Sequence, residues 1–131
     1  MSQIITDLAN TATFTALQGL GNANGNGAVL DLQPYKGAVT VILATSQSTV
    51  GVGTINVANI QDSADNTTFA DVIGGAFAAV VNTANASNVG VQVKSFDIRA
   101  LNRYLRVPLT ISGTNANIPL AVVAVAQKER I

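Results

Sequence analysis

Alternation constrains this chain more than any other feature. Leu105, Val107, Leu109 and Ile111 fall on one parity, and Arg106, Pro108, Thr110 and Ser112 fall on the other. That is the period-two pattern of a strand with one buried face. The rhythm recurs in residues 11–16, where Ala12, Phe14 and Ala16 oppose three threonines, and in 28–32, where Leu30 and Leu32 share a face. Residues 37–45 carry Val39, Val41, Ile42 and Leu43, so this strand is expected to be covered on both faces. Further strands are expected over 52–61, 69–73, 77–81, 89–98 and 118–127. In 52–61 the apolar phase slips between Val57 and Ile60, which predicts a bulge. Val89, Val91 and Val93 share a parity that Phe96 and Ile98 do not, which predicts a second bulge near Ser95. Pro108 cannot donate to a ladder, so its strand is expected at a sheet edge.

Turn chemistry separates these runs. Gly-Asn-Ala-Asn-Gly-Asn-Gly at 21–27 supplies the positive φ of tight turns, and 46–51, 62–68, 82–88 and 113–117 are polar. The one helical contest is 98–106, read as a turn of helix or bend at 99–102 followed by a strand. Short strands at this spacing predict an all-β sandwich. The leading expectation is a jelly roll of about eight short antiparallel strands, with an immunoglobulin-like sandwich as the alternative. Residues 1–27 are expected to be an N-terminal arm, or a first strand with its Gly/Asn-rich loop, and 28–131 the sandwich.

Composition narrows the chemistry. The chain has no Cys and no His, and 11% of its residues are charged, with a formal net charge of zero. General acid–base work near neutral pH usually falls to His, and zinc is usually held by Cys or His. The expectation is therefore a non-enzyme with no cofactor and no metal. Grip on nucleic acid through phosphates normally brings a basic excess, so no nucleic-acid partner is expected. The apolar run 120–126 is far short of the roughly 20 residues that span a bilayer, so no membrane partner is expected either. Residues 1–10 carry Asp7 and no basic residue, unlike a signal peptide, so a protein made without an export signal is expected. The Asn-x-Ser/Thr patterns at Asn66 and Asn85 then carry no weight.

The acidic run Asp62-Ser63-Ala64-Asp65-Asn66-Thr67-Thr68-Phe69-Ala70-Asp71 lacks the ligand spacing, central Gly and closing Glu of a calcium loop. It reads as a turn whose Asp and Asn satisfy backbone amides, and a carboxylate pair for glycoside hydrolysis gets little support. Neither 21–27 nor Gly51-Val52-Gly53 has the residues of a phosphate or dinucleotide loop. Arg99, Arg103 and Arg106 with Tyr104 form the one basic concentration. They read either as a docking patch, since Arg and Tyr anchor interfaces, or as intramolecular partners of Asp97 and other acids. Ile4, Ile5 and Leu8 make the N-terminal segment a second candidate contact.

Three segments carry a resemblance: Ile60-Gln61-Asp62-Ser63-Ala64-Asp65-Asn66-Thr67-Thr68-Phe69, Asn102-Arg103-Tyr104-Leu105-Arg106-Val107, and Asp31-Leu32-Gln33-Pro34-Tyr35-Lys36-Gly37. Together they resemble small head structural proteins of tailed bacteriophages, some of which are capsid decoration or cement proteins. The resemblance spans about residues 28–126. It implies an all-β module clamped on the capsid exterior of the virion, with the major capsid protein as partner, and it brings no catalytic residues. A neutral chain that repels itself little is expected to form a homo-oligomer, a trimer or dimer. The rival expectation is a receptor- or carbohydrate-binding module of a tail or spike, for which the chain offers no Trp and only Tyr35 and Tyr104.

Overall fold

The computed structural model describes residues 12–21, 25–46, 53–82, 90–113 and 118–128. Its strands are β1 (Ala12–Gly21), β2 (Leu30–Asp31), β3 (Tyr35–Thr45), β4 (Gly53–Ser63), β5 (Ala70–Ala76), β6 (Val80–Asn82), β7 (Gly90–Asp97), β8 (Tyr104–Arg106), β9 (Leu109–Ser112) and β10 (Ile118–Lys128). Among the described residues a single 3₁₀ turn, Ile98–Ala100, falls at the start of the contested segment. One sheet has the order β1-β10-β3-β7, and the second has β2-β8-β4-β5 with β6 and β9 also on β4. All the strand pairs are antiparallel.

β5 and β6 run along one edge of β4, and β8 and β9 along the other, so each couple acts as one interrupted strand. Counted that way there are eight strands in nested pairs: β1 with β10, β2 with β8, β3 with β7, and β4 with β5. The chain is thus one long hairpin whose successive rungs are rolled alternately into the first and second sheet. This is the expected jelly roll. In the immunoglobulin-like order the first two strands would share a sheet, whereas here they lie in different ones.

Alternation builds the core. Val39, Val41 and Leu43 of β3 and Val122, Ala124 and Ala126 of β10 are buried on the first sheet. From the second come Leu30, Ile55, Ile60, Leu105 and Leu109, with Leu32 and Val107 just beyond their strands; all belong to one cluster. The predicted face of Leu105, Val107, Leu109 and Ile111 is inward as read: the first three are buried and Ile111 packs against the core. The β4 register shift falls between Ile55 and Val57, just ahead of its expected place.

Three expectations fail, each for a physical reason. Residues 37–45 are covered on one face only: Val39, Val41 and Leu43 are buried between the two sheets, whereas Ala38, Thr40, Ile42 and Ala44 lie on the outer face, over which no third layer packs among the described residues. No bulge occurs near Ser95, because β7 pairs with β3 without a break from Gly90 to Asp97. Phe96 packs against the core, so Gln92 and Lys94 share its inward parity while Val91 and Val93 point to solvent. Gln92 is accommodated because its side chain accepts from Ala78 N (2.8 Å) and donates to Ala78 O (3.0 Å), closing the open side of the sandwich. Nor does Pro108 mark an edge. It sits in the break between β8 and β9, where β4 flanks one side and segment 25–31 the other, with Gly25 bridging Leu109. A proline that cannot donate is tolerated there because the ladder is interrupted at its position.

Leu109 is 3% exposed, so Leu109→Ala should cost about 2–5 kcal/mol in denaturant unfolding. Thr110→Ala, on the exposed face, should stay within about 0.5 kcal/mol.

Candidate interaction surfaces

Each arginine of the predicted basic group has a partner within the chain. Asp97 caps the 3₁₀ turn by accepting from Arg99 N (3.0 Å), and its carboxylate pairs with the Arg99 guanidinium at 3.0 Å. Arg103 grips Asp31 in a bidentate fork, at 2.9 and 2.8 Å, and lies over the Tyr104 ring. The pairing ties β8 to β2, where Leu32 N also donates to Arg103 O. Arg106 stacks on Phe69 at 3.9 Å and donates to Gln61 Oε1. The hydrogen bonds from Arg103 and Arg99 hold Asp31 and Asp97 below the usual carboxylate range. Structure therefore brings Arg103 and Tyr104 together, sends Arg106 to Phe69, and leaves Arg99 reaching into solvent at 88% exposure. Exposed pairs of this kind contribute little stability. Ile4, Ile5 and Leu8 lie outside the described residues.

The acidic run folds as the expected turn. One oxygen of Asp65 accepts from Thr67 N, Thr68 N and Ser63 Oγ, while Asp71 accepts from Asn59 and Gln61. Asp62 accepts from Asn102 N, stitching this region to the segment before β8. The three carboxylates are thus committed to separate partners, and among the described residues no three acids converge.

The surfaces that stand out are apolar, and the sequence reading missed them. On β5, Asp71 pairs with Gln61 and Ala76 with Asn59, so residues 72–75 oppose Ile60 alone. Two glycines make this bulge possible. Gly74 adopts φ +80°, and a Cβ on Gly75 would stand 3.0 Å from Ile60 Cβ. Val72 packs against the core, and Ile73 is pushed outward at 97% exposure. The sequence signal was an isoleucine directly before a Gly-Gly pair in an edge strand.

The second surface is the outer face of the first sheet. Register aligns Val93, Ile42 and Val123 in one row, Val91, Ala44 and Ala121 in the next, and Ser95, Thr40 and Val125 in the third. No position among these is charged. The two hydroxyls satisfy one another at 2.9 Å, and Val91 and Val93 are 65% and 55% exposed. A groove of about 780 Å³ adjoins one end at Ala38 and Ser95, and a shallower one of about 280 Å³ adjoins the other at Ala44 and Ala121. Carrying the inward parity of Phe96 back through Lys94 and Gln92 would have revealed this face.

Fold and surfaces define a two-sheet jelly-roll sandwich whose conspicuous exposed features are apolar. No protein-family model matches the chain, and no curated protein does. The fold is similar to that of the SPBc2 prophage-derived protein YomS, at 13% identity and TM-score 0.53, covering 89% of this chain and 93% of that one. It is also similar to VP2 in the subviral particle of infectious bursal disease virus, at 8% identity and TM-score 0.53, covering 92% of this chain and 30% of that one. At such identities the likeness is one of fold.

The Asp65 carboxyl is held at about 2, chiefly by the Thr68 and Thr67 amides and then by Ser63. Its folded value is depressed, so its contribution is complete above the unfolded value of about 3.9 and is lost as pH falls through about 2. An NMR titration should give a carboxyl midpoint near 2, with the Thr67 and Thr68 amide shifts moving together. Asp65→Asn should abolish that transition.

Proposed function

We propose that this chain is a capsid decoration, or cement, protein of a tailed bacteriophage. It binds the outer surface of the major capsid lattice and stabilises the head through interfacial burial alone, without cofactor or catalysis. The observation that carries the reading is Ile73. A fully exposed isoleucine on a bulge that needs two glycines is a poor use of an edge strand unless a partner receives it. Bulges also keep edges from pairing at random, so β5 offers a single apolar anchor in place of a free ladder. Well-packed anchors of this kind dominate binding energy, and repetition over many lattice sites multiplies their effect.

Two further features support the reading. The fold neighbours come from a prophage and from a viral particle. The described arginines and the acids Asp31, Asp62, Asp65, Asp71 and Asp97 are engaged in pairs, stacks and turns, so recognition falls to shape and apolar contact. The receptor- or carbohydrate-binding alternative finds less support. Tyr35 packs against the core and Tyr104 lies beneath Arg103, so neither tyrosine offers a free platform.

The test is sedimentation of the purified protein with heads that lack it. Wild-type protein should travel with the heads. Ile73→Asp, an exposed change within about 0.5 kcal/mol of wild-type stability, should stay in the supernatant. Antibody labelling confined to the tail tip of intact virions would instead establish the receptor-binding alternative.

A further inference from the structure

We propose that Asn26 is a site of spontaneous deamidation, at which the Gly27 amide closes on the side chain and converts it to aspartate and isoaspartate, whereas the fold protects Asn24. The proposal concerns the Gly/Asn-rich segment, which shell attachment through Ile73 does not use.

The chemistry needs an asparagine, a following residue with no side chain to obstruct the approach, and a backbone amide able to give up its proton. An Asn-Gly pair meets the first two needs, and it occurs twice in the chain, at 24–25 and at 26–27. Every other asparagine precedes a bulkier residue.

The fold separates the two pairs by the third need. Gly25 N donates to Leu109 O (3.2 Å) and Gly25 O accepts from Leu109 N (2.8 Å). The amide that would attack Asn24 is therefore held in a two-way bridge to β9. Among the described residues no such bond engages the Gly27 amide. Asn26 and Gly27 are both exposed and belong to no strand. Gly27 has φ +71°, which glycine adopts without strain, so the residue that leaves the nitrogen unobstructed is also the one this backbone favours.

In the reaction, hydroxide removes the Gly27 N–H proton and the nitrogen attacks Asn26 Cγ. The N–Cγ bond forms, the Cγ–Nδ2 bond breaks, and Nδ2 takes a proton from water and leaves as ammonia. Water then opens the cyclic imide at Cγ to give aspartate, or at the backbone carbonyl to give isoaspartate. Nothing is oxidised or reduced, and water is the one co-reactant.

The product adds a negative charge to residues 25–30, which carry none, beside the short edge strand β2 of the second sheet. Charge on an edge opposes pairing with another strand. The extra backbone carbon of isoaspartate falls within 26–29, between the Gly25 bridge and β2 and outside both pairings.

The experiment is incubation of the folded full chain at mildly alkaline pH, with circular dichroism as the check on folding. Digestion at Lys36 then releases residues 1–36 for tandem mass spectrometry, which reads the exchange of NH₂ for OH at each asparagine. Asn26 should convert at least about 10-fold faster than Asn24, because the Gly25 amide must first give up a hydrogen bond. In guanidinium chloride, where the bridge is lost, the two should convert at comparable rates. Asn26→Gln, which would have to close a larger ring, should remove the fast phase from the folded chain. Equal rates at the two sites in the folded chain would overturn the proposal. So would faster conversion of Asn24, or a folded chain that reacts at neither site while the unfolded chain reacts at both.

Discussion

The sandwich depends on the pairing of β10 with β3. These two strands form the middle of the first sheet, and their register sets Val39 beside Ala126, Val41 beside Ala124, Leu43 beside Val122 and Thr45 beside Leu120 on the inner face. All eight are buried. Sizes are complementary within the pairs, with a branched residue on β3 facing alanine on β10 at two of the four. A slip of one residue would turn Ile42, Val123 and Val125 inward and expel the entire buried set. The pairing also joins residues about 80 positions apart in sequence. The centre of the sheet is thus closed by long-range contacts, the kind that folds slowly because loop closure precedes any stabilising contact.

Much of this was legible in the sequence because one-sided burial writes itself as alternation. The face from Leu105 to Ile111 was read correctly, as were the Leu30–Leu32 pair and the turn formed by 62–68. Legibility failed where two signals conflict. In β7 the valines and Phe96 demand opposite parities, and valine is favoured in strands whether or not it is buried. The inward position of Gln92 is stabilised by the backbone of Ala78, a partner 14 residues away that no local pattern announces. Pro108 misled for a similar reason. Its rule concerns ladder hydrogen bonds, and the ladder is broken at that point by the division into β8 and β9. Pairing order between sheets is not written in any one segment, although the even spacing of strands and turns made the fold class readable.

The candidate surfaces were less legible than the fold. Composition identified the arginines, because charged residues are rare here and therefore conspicuous. Within the fold that rarity works the other way, since scarce charges are drawn into local partnerships: Asp97 with Arg99 two residues on, Asp31 with Arg103 across β2 and β8. Each pair cancels its own field close to the surface, leaving little long-range electrostatic steering toward a partner. Recognition then rests on contact shape. The exposed apolar residues look ordinary in sequence, and only the bulge at 72–75 and the parity of β7 single them out.

Edge protection connects these features. A two-sheet sandwich has four free edges, and proteins usually guard them with lysine, proline or bulges. This chain has few lysines to spend. The second sheet guards β5 with the Ile73 bulge, and at the other end of the sheet the edge lies along segment 25–31, where the paired strand β2 is only two residues long. The first sheet guards β7 with Lys94 from within. Because that guard faces inward, the outward positions of β7 are free to be valine, and the valines align with Ile42 and Val123 into an uncharged surface. The same parity that places Lys94 against edge pairing therefore builds the face. The two properties are linked by the period of the strand: shifting β7 by one residue would expose the lysine, bury Val91 and Val93, and remove both the guard and the apolar surface together.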